Sequence, residues 1–231
     1  MEKYLYLAIV LLSLAVPLLA SFHPRAPFYK KWKYLVPALM VTSVLFILWD
    51  EIFTRMKVWG FTDRYLVGSY IGSLPVEEVL FFLCIPYACV FTYFALHHLV
   101  EKDYLFPHQE LISSALIIFM LVFGMYNLDK SYTGVTFTLL GLFLAFQMLK
   151  LRPRYMGRFY FAFGILLVPF FIVNGILTGS FIDGEVVWYN DEENLGLRIG
   201  TIPLEDIFYG LLLILMNVVI FEWLQERERY K

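Results

Sequence analysis

Two eleven-residue stretches decide the fold of this chain. Residues 68–78 read GSYIGSLPVEE, and residues 196–206 read GLRIGTIPLED. The stretches match without a gap at both glycines, at the proline and at the final acidic pair. Chance similarity between two apolar segments would not bring these residue types into register. An internal repeat with an offset of 128 or 129 residues therefore relates the two halves of the chain.

The composition predicts an integral membrane protein. Of the 231 residues, 60% are hydrophobic, which lies outside the range of soluble domains. The first apolar run also fits a secretory signal peptide, but the repeat needs it as a helix, and we interpret it as a span. Seven runs are long enough to cross a hydrocarbon core of about 30 Å. They lie near residues 4–20, 34–51, 75–99, 112–127, 133–149, 158–177 and 203–222.

The offset of the repeat predicts how the spans are arranged. It carries the third span onto the seventh and the first onto the fifth, so both copies have the same orientation in the membrane. We expect an all-α integral membrane fold of seven helices in a 3+1+3 parallel internal repeat. The three-helix units are residues 1–103 and 131–231, joined by a connector helix in residues 104–130. Such repeats share a site at their interface.

The distribution of positive charge predicts the orientation of the protein. Lys and Arg are retained on the cytoplasmic side during insertion, and twelve of the eighteen lie on the side of the C-terminal tail. We expect a multi-pass protein of the cell membrane with its N-terminus outside and its C-terminus in the cytoplasm. A net charge of −2 and the lack of a basic stripe argue against a nucleic-acid partner.

Each repeat places a proline and two acidic residues at a predicted helix start. We expect each proline at the first helical position, where its missing N–H costs nothing. The acids can serve as caps of the helix N-terminus, but ionisable groups at membrane depth are costly and mark functional cavities. We therefore predict that the acids are catalytic. The residues are Pro75, Glu77 and Glu78 in the first repeat, and Pro203, Glu205 and Asp206 in the second.

Neighbouring acids on a helix face different directions, because adjacent positions are about 100° apart. One acid of each pair should line the site while the other supports it. Glutamate occupies the first position in both repeats, which favours Glu77 and Glu205 as the lining residues. Asp206 shares a helix face with the intramembrane Asn217, which we interpret as a structural residue at the site.

A second acidic pair, Asp50 and Glu51, ends the second span on the same side of the membrane. This pair could join the site, but we interpret it as a solvated helix end. The sixth span offers no acid at this level, only Asn174 and Thr178. The sequence has no dinucleotide fingerprint, no phosphate loop and no His or Cys pair with metal-ligand spacing. We therefore expect no cofactor and no metal.

At the repeated motifs the sequence resembles the membrane lycopene β-cyclases of the heterodimeric or fused type, over nearly the full chain. Each three-helix unit of that family carries a P-x-E-[ED] motif, matched here by residues 75–78 and 203–206. At the last position of the second motif this sequence has Asp206 in place of a second Glu, which keeps the charge but shortens the side chain. The resemblance implies a lycopene β-cyclase, which makes β-carotene by acid-initiated cyclisation without net redox change. It implies lycopene and the lipid bilayer as partners, with other carotenoid enzymes as further candidates.

Cyclisation needs a proton on the terminal C1=C2 bond of lycopene, attack by the C5=C6 bond and loss of a proton. Because one cavity must hold both an acid and a base, we expect a composite site at the repeat interface. Aromatic faces would stabilise the cation. The candidates for binding the substrate in this way are Trp59, Tyr70, Phe81, Phe82, Trp188, Phe208 and Tyr209.

The sequence leaves two alternative functions open. A carotenoid hydratase would use the same acid to form the same cation and then trap it with water. A small-solute transporter of the SWEET type shares the 3+1+3 layout, but it carries prolines within its spans and has a polar central pore. The paired acids at helix starts and the almost wholly apolar spans of this chain favour an enzyme.

Overall fold

The computed structural model describes residues 2–229 and consists of seven long helices joined by short connections. All seven are long and apolar enough to cross a membrane, which confirms the predicted all-α membrane architecture. Helix α5 continues through a π-helical turn to Leu151. The helices are α1 Leu5–Ala20, α2 Trp32–Arg55, α3 Val76–Leu99, α4 Gln109–Tyr126, α5 Ser131–Phe146, α6 Met156–Leu177 and α7 Leu204–Arg229.

Helices α3 and α7 form the centre of the bundle. Helix α7 packs against α2, α3, α5 and α6, and α3 also packs against α1, α2 and α6. Helix α4 lies to one side and packs chiefly on α5. Gly124 permits this close approach, because a Cβ there would lie 2.8 Å from the backbone nitrogen of Thr138. Small residues serve the same purpose in other membrane helix pairs.

The outer surface of the bundle is apolar. Such a surface would be unfavourable in water, whereas lipid chains solvate it well. The helices satisfy their own backbone hydrogen bonds, as a span in hydrocarbon must. The protein is therefore a multi-pass membrane protein. Large side chains that are exposed around the bundle include Leu12, Val16, Leu48, Ile118, Val122, Val168 and Ile172.

Two strands tie together the connections that follow α2 and α6. Strand β1, Trp59–Phe61, pairs antiparallel with a strand at Val187–Tyr189, and Gly60 lies opposite Trp188. Trp188 covers this glycine so closely that a Cβ would lie 2.3 Å from the indole ring. Only glycine fits at this position without displacing the indole.

A short hairpin precedes each of the two acid-bearing helices. Strands β2 (Tyr70–Ile71) and β3 (Leu74–Pro75) precede α3. The strand that pairs with β1, Val187–Tyr189, is β4, and strands β5 (Arg198–Ile199) and β6 (Ile202–Pro203) precede α7. Gly72 and Gly200 begin the two turns with φ of 67° and 65°, a left-handed conformation that glycine adopts without strain.

The prolines of the motif lie one residue before the position that we expected. Pro75 is the N-cap of α3, with φ −66° and ψ 149°, and the helix begins at Val76. Pro203 likewise ends β6, directly before Leu204 begins α7. The prediction of a first helical position was wrong because each proline still pairs across its hairpin and needs extended backbone.

Candidate active site

The first acid of each pair accepts a hydrogen bond from the loop that precedes its helix. The Glu77 Oε1 atom accepts a hydrogen bond of 2.6 Å from the backbone N–H of Val67. The Glu205 Oε1 atom accepts one of 2.8 Å from the backbone N–H of Leu195, at the same ten-residue separation. Glu205 also accepts a bond of 2.6 Å from the Thr133 hydroxyl of α5. Both carboxyl groups are fully buried.

The second acid of each pair accepts a hydrogen bond from a tyrosine near the start of a distant helix. The Tyr6 hydroxyl of α1 donates to Glu78. The Tyr132 hydroxyl of α5 donates to Asp206 Oδ1 over 2.6 Å. Asp206 Oδ2 accepts two more bonds, from the Tyr189 hydroxyl at 3.0 Å and the Asn174 side-chain amide at 3.3 Å. Three donors therefore converge on Asp206.

Tyr189 lies in β4, outside the membrane-spanning helices. Burial raises the pKa of its hydroxyl well above the ordinary value, and the nearby carboxyl of Asp206 adds to the effect. The hydroxyl therefore keeps its proton at any physiological pH. It acts as a permanent hydrogen-bond donor to Asp206.

A third carboxyl group, that of Asp50 on α2, lies at the same site. Its side chain is only 2% exposed, and the indole N–H of Trp59 donates to its Oδ1 atom. The expectation of a solvated helix end was wrong for Asp50, because the chain after α2 folds back as β1 and covers it with Trp59. Glu51 is partly exposed and binds the Arg55 guanidinium and the backbone N–H of Ser73.

These groups surround a small polar cavity at the hairpin end of the bundle. Its volume is about 70 Å³, and every carboxyl group in its lining comes from a different helix. Among residues 2–229, no cluster of three or more His, Cys, Asp or Glu is placed to hold a metal ion. The cavity is lined by Tyr6, Asp50, Trp59, Phe61, Glu78, Phe81, Tyr132, Asn174, Leu177, Thr178, Val187, Tyr189, Asp206 and Tyr209.

A larger apolar cavity of about 280 Å³ adjoins the polar one. It runs between α1, α3, α6 and α7, and its far end reaches Ser13, Pro17 and Thr92. The two cavities share four lining residues, so a long apolar molecule in the larger one would point its end at the carboxyl groups. The shared residues are Phe81, Asn174, Asp206 and Tyr209.

The structure separates the four predicted acids into two classes. Glu78 and Asp206 line the polar cavity, whereas Glu77 and Glu205 do not. The expectation that Glu77 and Glu205 would line it was therefore wrong. Both face the loop that precedes their helix, because its backbone N–H groups need a buried acceptor.

The predicted aromatic residues also divide. Trp59, Phe81 and Tyr209 line the polar cavity. Phe82 instead packs against Phe46 of α2, and Trp188 covers Gly60. The prediction that Phe82 and Trp188 contribute to the cavity was wrong. Phe82 packs on α2, and Trp188 lies on the face of β4 opposite the lining residues Val187 and Tyr189.

The other predicted site residues lie elsewhere. Tyr70 is 46% exposed on strand β2, outside the lining of both cavities. Phe208 packs against Phe137 of α5, on the side of α7 that faces away from the apolar cavity. Asn217 accepts a hydrogen bond of 2.8 Å from Thr42 and so ties α7 to α2, about three turns from the acids. Its structural role is therefore in the bundle core and not at the site.

Besides Asp50, five polar residues of the cavity were not predicted from the sequence as members of the site. They are Tyr6, Tyr132, Asn174, Thr178 and Tyr189. Tyr6 and Tyr132 are hydroxyl-bearing residues near the starts of the first and fifth spans, and the predicted repeat relates these two spans. A search for polar side chains at matched levels of repeated helices could have found them.

A multi-pass membrane protein with a buried cluster of carboxyl and tyrosine groups, next to an apolar cavity, is the class that the fold and the site define. The family model described as lycopene cyclase matches residues 3–96 and 129–224, more than half of the chain. The chain therefore belongs to the lycopene cyclase family. The two matched segments contain one acidic motif each.

Curated relatives agree with this assignment. The chain is 27% identical to the bifunctional lycopene cyclase/phytoene synthase of Podospora anserina, over 82% of this chain and 32% of that protein. Proteins of the same name from Leptosphaeria maculans and Aspergillus oryzae are 27% and 26% identical over 45% and 50% of this chain, and over 20% and 21% of their own lengths. The chain thus spans about a third or less of these relatives. No solved structure matches it.

Proposed function

We propose that this protein is a lycopene β-cyclase that works within the membrane. The observation that carries the proposal is the junction of the two cavities, where an apolar cleft ends at buried carboxyl groups. A polyene is a long apolar molecule whose end group must meet an acid away from water. The family membership and the printed names of the curated relatives support the same substrate class.

The proposed reaction needs only proton transfer. A carboxyl group gives a proton to C2 of the terminal C1=C2 bond, and the cation forms at C1. The C5=C6 bond attacks, so that a C1–C6 bond forms and the cation moves to C5. Loss of a proton from C6 to a second carboxylate leaves the β-ring. Acid–base catalysis of this kind contributes about 10²-fold to 10⁴-fold to a rate.

We assign the acid–base chemistry to the carboxyl groups that line the polar cavity, which are those of Asp50, Glu78 and Asp206. Glu77 and Glu205 are supporting residues that fix the loops. The rings of Trp59, Phe81 and Tyr209 would stabilise the cation by cation–π contact. All three rings line the polar cavity beside the acids. Exclusion of water protects the cation from capture, which is what separates a cyclase from a hydratase.

One composite site fits the packing better than two separate sites. At an offset of 128 residues, Gly210 of α7 corresponds to Phe82 of α3. Gly210 lines the apolar cavity, whereas Phe82 fills the corresponding space beside α2 together with Phe46. The two ends of lycopene would then react one after the other at the same site.

The parallel 3+1+3 repeat is part of the proposal. Several local features recur at an offset of 128 residues, among them the hairpin turns at Gly72 and Gly200 and the loop bonds of Glu77 and Glu205. The central pair of β1 and β4, Gly60 and Trp188, also has this offset. An axis along the membrane normal between the two strands accounts for all three features.

The orientation with the N-terminus outside is proposed on the positive charge distribution alone. The cavity and the hairpins would then lie at the outer side of the membrane. The curated relatives combine lycopene cyclase and phytoene synthase in their names, which supports a second proposal, that this chain works next to other carotenoid enzymes.

A small-solute transporter is the weaker alternative. Prolines within the spans do not separate this chain from such a transporter, because four of its helices also contain one. They are Pro17 in α1, Pro37 in α2, Pro86 in α3 and Pro169 in α6. The apolar lining of the larger cavity does distinguish it, because a polar solute would find few hydrogen-bond partners there.

Product analysis in cells that accumulate lycopene tests the proposal. We expect γ-carotene and β-carotene, with one and two β-rings, to replace lycopene when the chain is expressed. Hydrated carotenoids in their place would identify a hydratase. Unchanged lycopene with folded protein in the membrane would contradict both enzyme assignments, and uptake of a sugar by proteoliposomes would favour the transporter.

A further inference from the structure

The two halves of the site differ at one pair of helix positions. Asp50 on α2 and Asn174 on α6 both line the polar cavity. Each has a threonine four residues later. The Thr54 hydroxyl donates to the side-chain carboxyl of Asp50, and the Thr178 hydroxyl donates to the backbone carbonyl of Asn174. Both pairs are separated by 124 positions. Asp50 is therefore the counterpart of Asn174.

Each of these residues lies beside the second acid of its own half. The Asn174 amide donates to Asp206. Asp50 and Glu78 line the same polar cavity, but a carboxylate has no N–H to donate. The second half thus offers an amide and an acid, whereas the first half offers two acids. Two like charges in one buried cavity are unfavourable, so we expect one of these two acids to carry a proton.

The hydrogen bonds of Asp50 leave one oxygen free. Its Oδ1 atom accepts from the indole of Trp59, which can only donate. Its Oδ2 atom is buried without a hydrogen-bond partner, as are the Oε2 atoms of Glu77 and Glu205, but of these three acids Asp50 is the one that lines the polar cavity. Such an oxygen is unfavourable in a carboxylate, but it suits the hydroxyl of a neutral carboxylic acid that faces an alkene. Asp206 presents the opposite case, because three donors occupy its oxygens.

We propose that Asp50 is the catalytic acid of this site and that Asp206 is the base. This inference rests on the proposed cyclase function and deepens it. The proton moves from Asp50 Oδ2 to C2 of the substrate, the C1–C6 bond forms, and the C6 proton moves to Asp206. The cycle ends with Asp50 ionised and Asp206 protonated, and proton exchange through the polar cavity restores the start. Glu78, which accepts a hydrogen bond from Tyr6, is the neighbouring acid whose negative charge favours the protonated form of Asp50.

Amide and carboxyl variants at position 50 test the assignment. Asp50→Asn makes the first half like the second and keeps an acceptor for Trp59, while it removes the transferable proton. We expect formation of the first ring to fall about 10²-fold or more. Asp50→Glu should keep measurable activity, whereas the equally large Asp50→Gln should not. Glu51→Gln, next to it on the exposed side of α2, is the matched control and should cyclise at the normal rate.

Each outcome has a definite meaning. Activity of folded Asp50→Asn near the wild-type rate would overturn the proposal, because only the bond to Trp59 would then matter. If both amide variants fail to accumulate while Asp50→Glu accumulates normally, the carboxyl serves folding and the proposal is also wrong. Failure of the cyclase function itself would appear separately, as unchanged lycopene with the wild-type protein.

Discussion

The two halves of the bundle share a scaffold but differ in what they present to the centre. Both halves carry a hairpin with a left-handed glycine, a proline before the helix and a buried glutamate that fastens the loop. Around this scaffold, Phe82 corresponds to Gly210, and Asp50 corresponds to Asn174. The shared residues build two similar helix starts, while the residues that differ open a cavity on one side and concentrate acids there.

The largest expected effect concerns the second acids of the two motifs. We expect Glu78→Gln and Asp206→Asn each to lower cyclisation by about 10²-fold or more, because each removes an ionisable carboxyl from the cavity. Both substitutions keep the size of the side chain and an acceptor for the tyrosine. Carotenoid products per amount of folded protein measure the effect. Near-normal formation of the one-ring product by either variant would show that the halves work separately.

A smaller effect on cyclisation is expected when Gly210 of the second half is replaced by phenylalanine, the residue at the corresponding position of the first half. Gly210→Phe should fill the apolar cavity, as Phe82 fills its counterpart. The phenyl ring would occupy space that the substrate needs, so we expect cyclisation to fall about tenfold or more, which corresponds to about 1.4 kcal/mol. Gly164→Phe on the exposed face of α6 is a matched control, since no atom lies within 4 Å of a Cβ there. Equal activity of the two variants would argue against substrate in this cavity.

The first acids should affect stability more than chemistry. Glu77→Ala and Glu205→Ala each leave a part-buried backbone N–H without its acceptor, which costs about 1 kcal/mol. We expect lower thermal stability for both, with residual cyclisation by the protein that remains folded. Glu77→Gln and Glu205→Gln keep an acceptor and should be milder. Complete loss of activity in stable Gln variants would mean that these acids take part in the chemistry.

The sequence predicts the spans and the helix starts well, because both depend on local patterns. Hydrophobic length defines the seven helices, and the repeated motif marks the loops before α3 and α7. The family resemblance leads to the same two motifs. Hence the two acids at each helix start can be predicted without tertiary information.

The orientation of each acid could not be predicted in this way. Spacing alone shows that Glu77 and Glu78 face different directions, but tertiary packing decides which direction is the cavity. The prediction of a solvated Asp50 was wrong for a related reason. Trp59, the residue that buries it, lies beyond the end of α2 and returns because β1 pairs with β4. Asn174 corresponds to Asp50 at an offset of 124 and not 128, since the connections after α2 and α6 differ in length.

The most direct test of the central claim is cyclisation of lycopene by the purified protein in D₂O, without added flavin or nicotinamide. Proton transfer from the protein should place one deuterium at C2 of each new ring, so β-carotene should be heavier by two deuterium atoms and otherwise isomeric with lycopene. Mass spectrometry and NMR of the product measure this. Rings without deuterium, a product that has gained water, or a strict need for a redox cofactor would contradict the account.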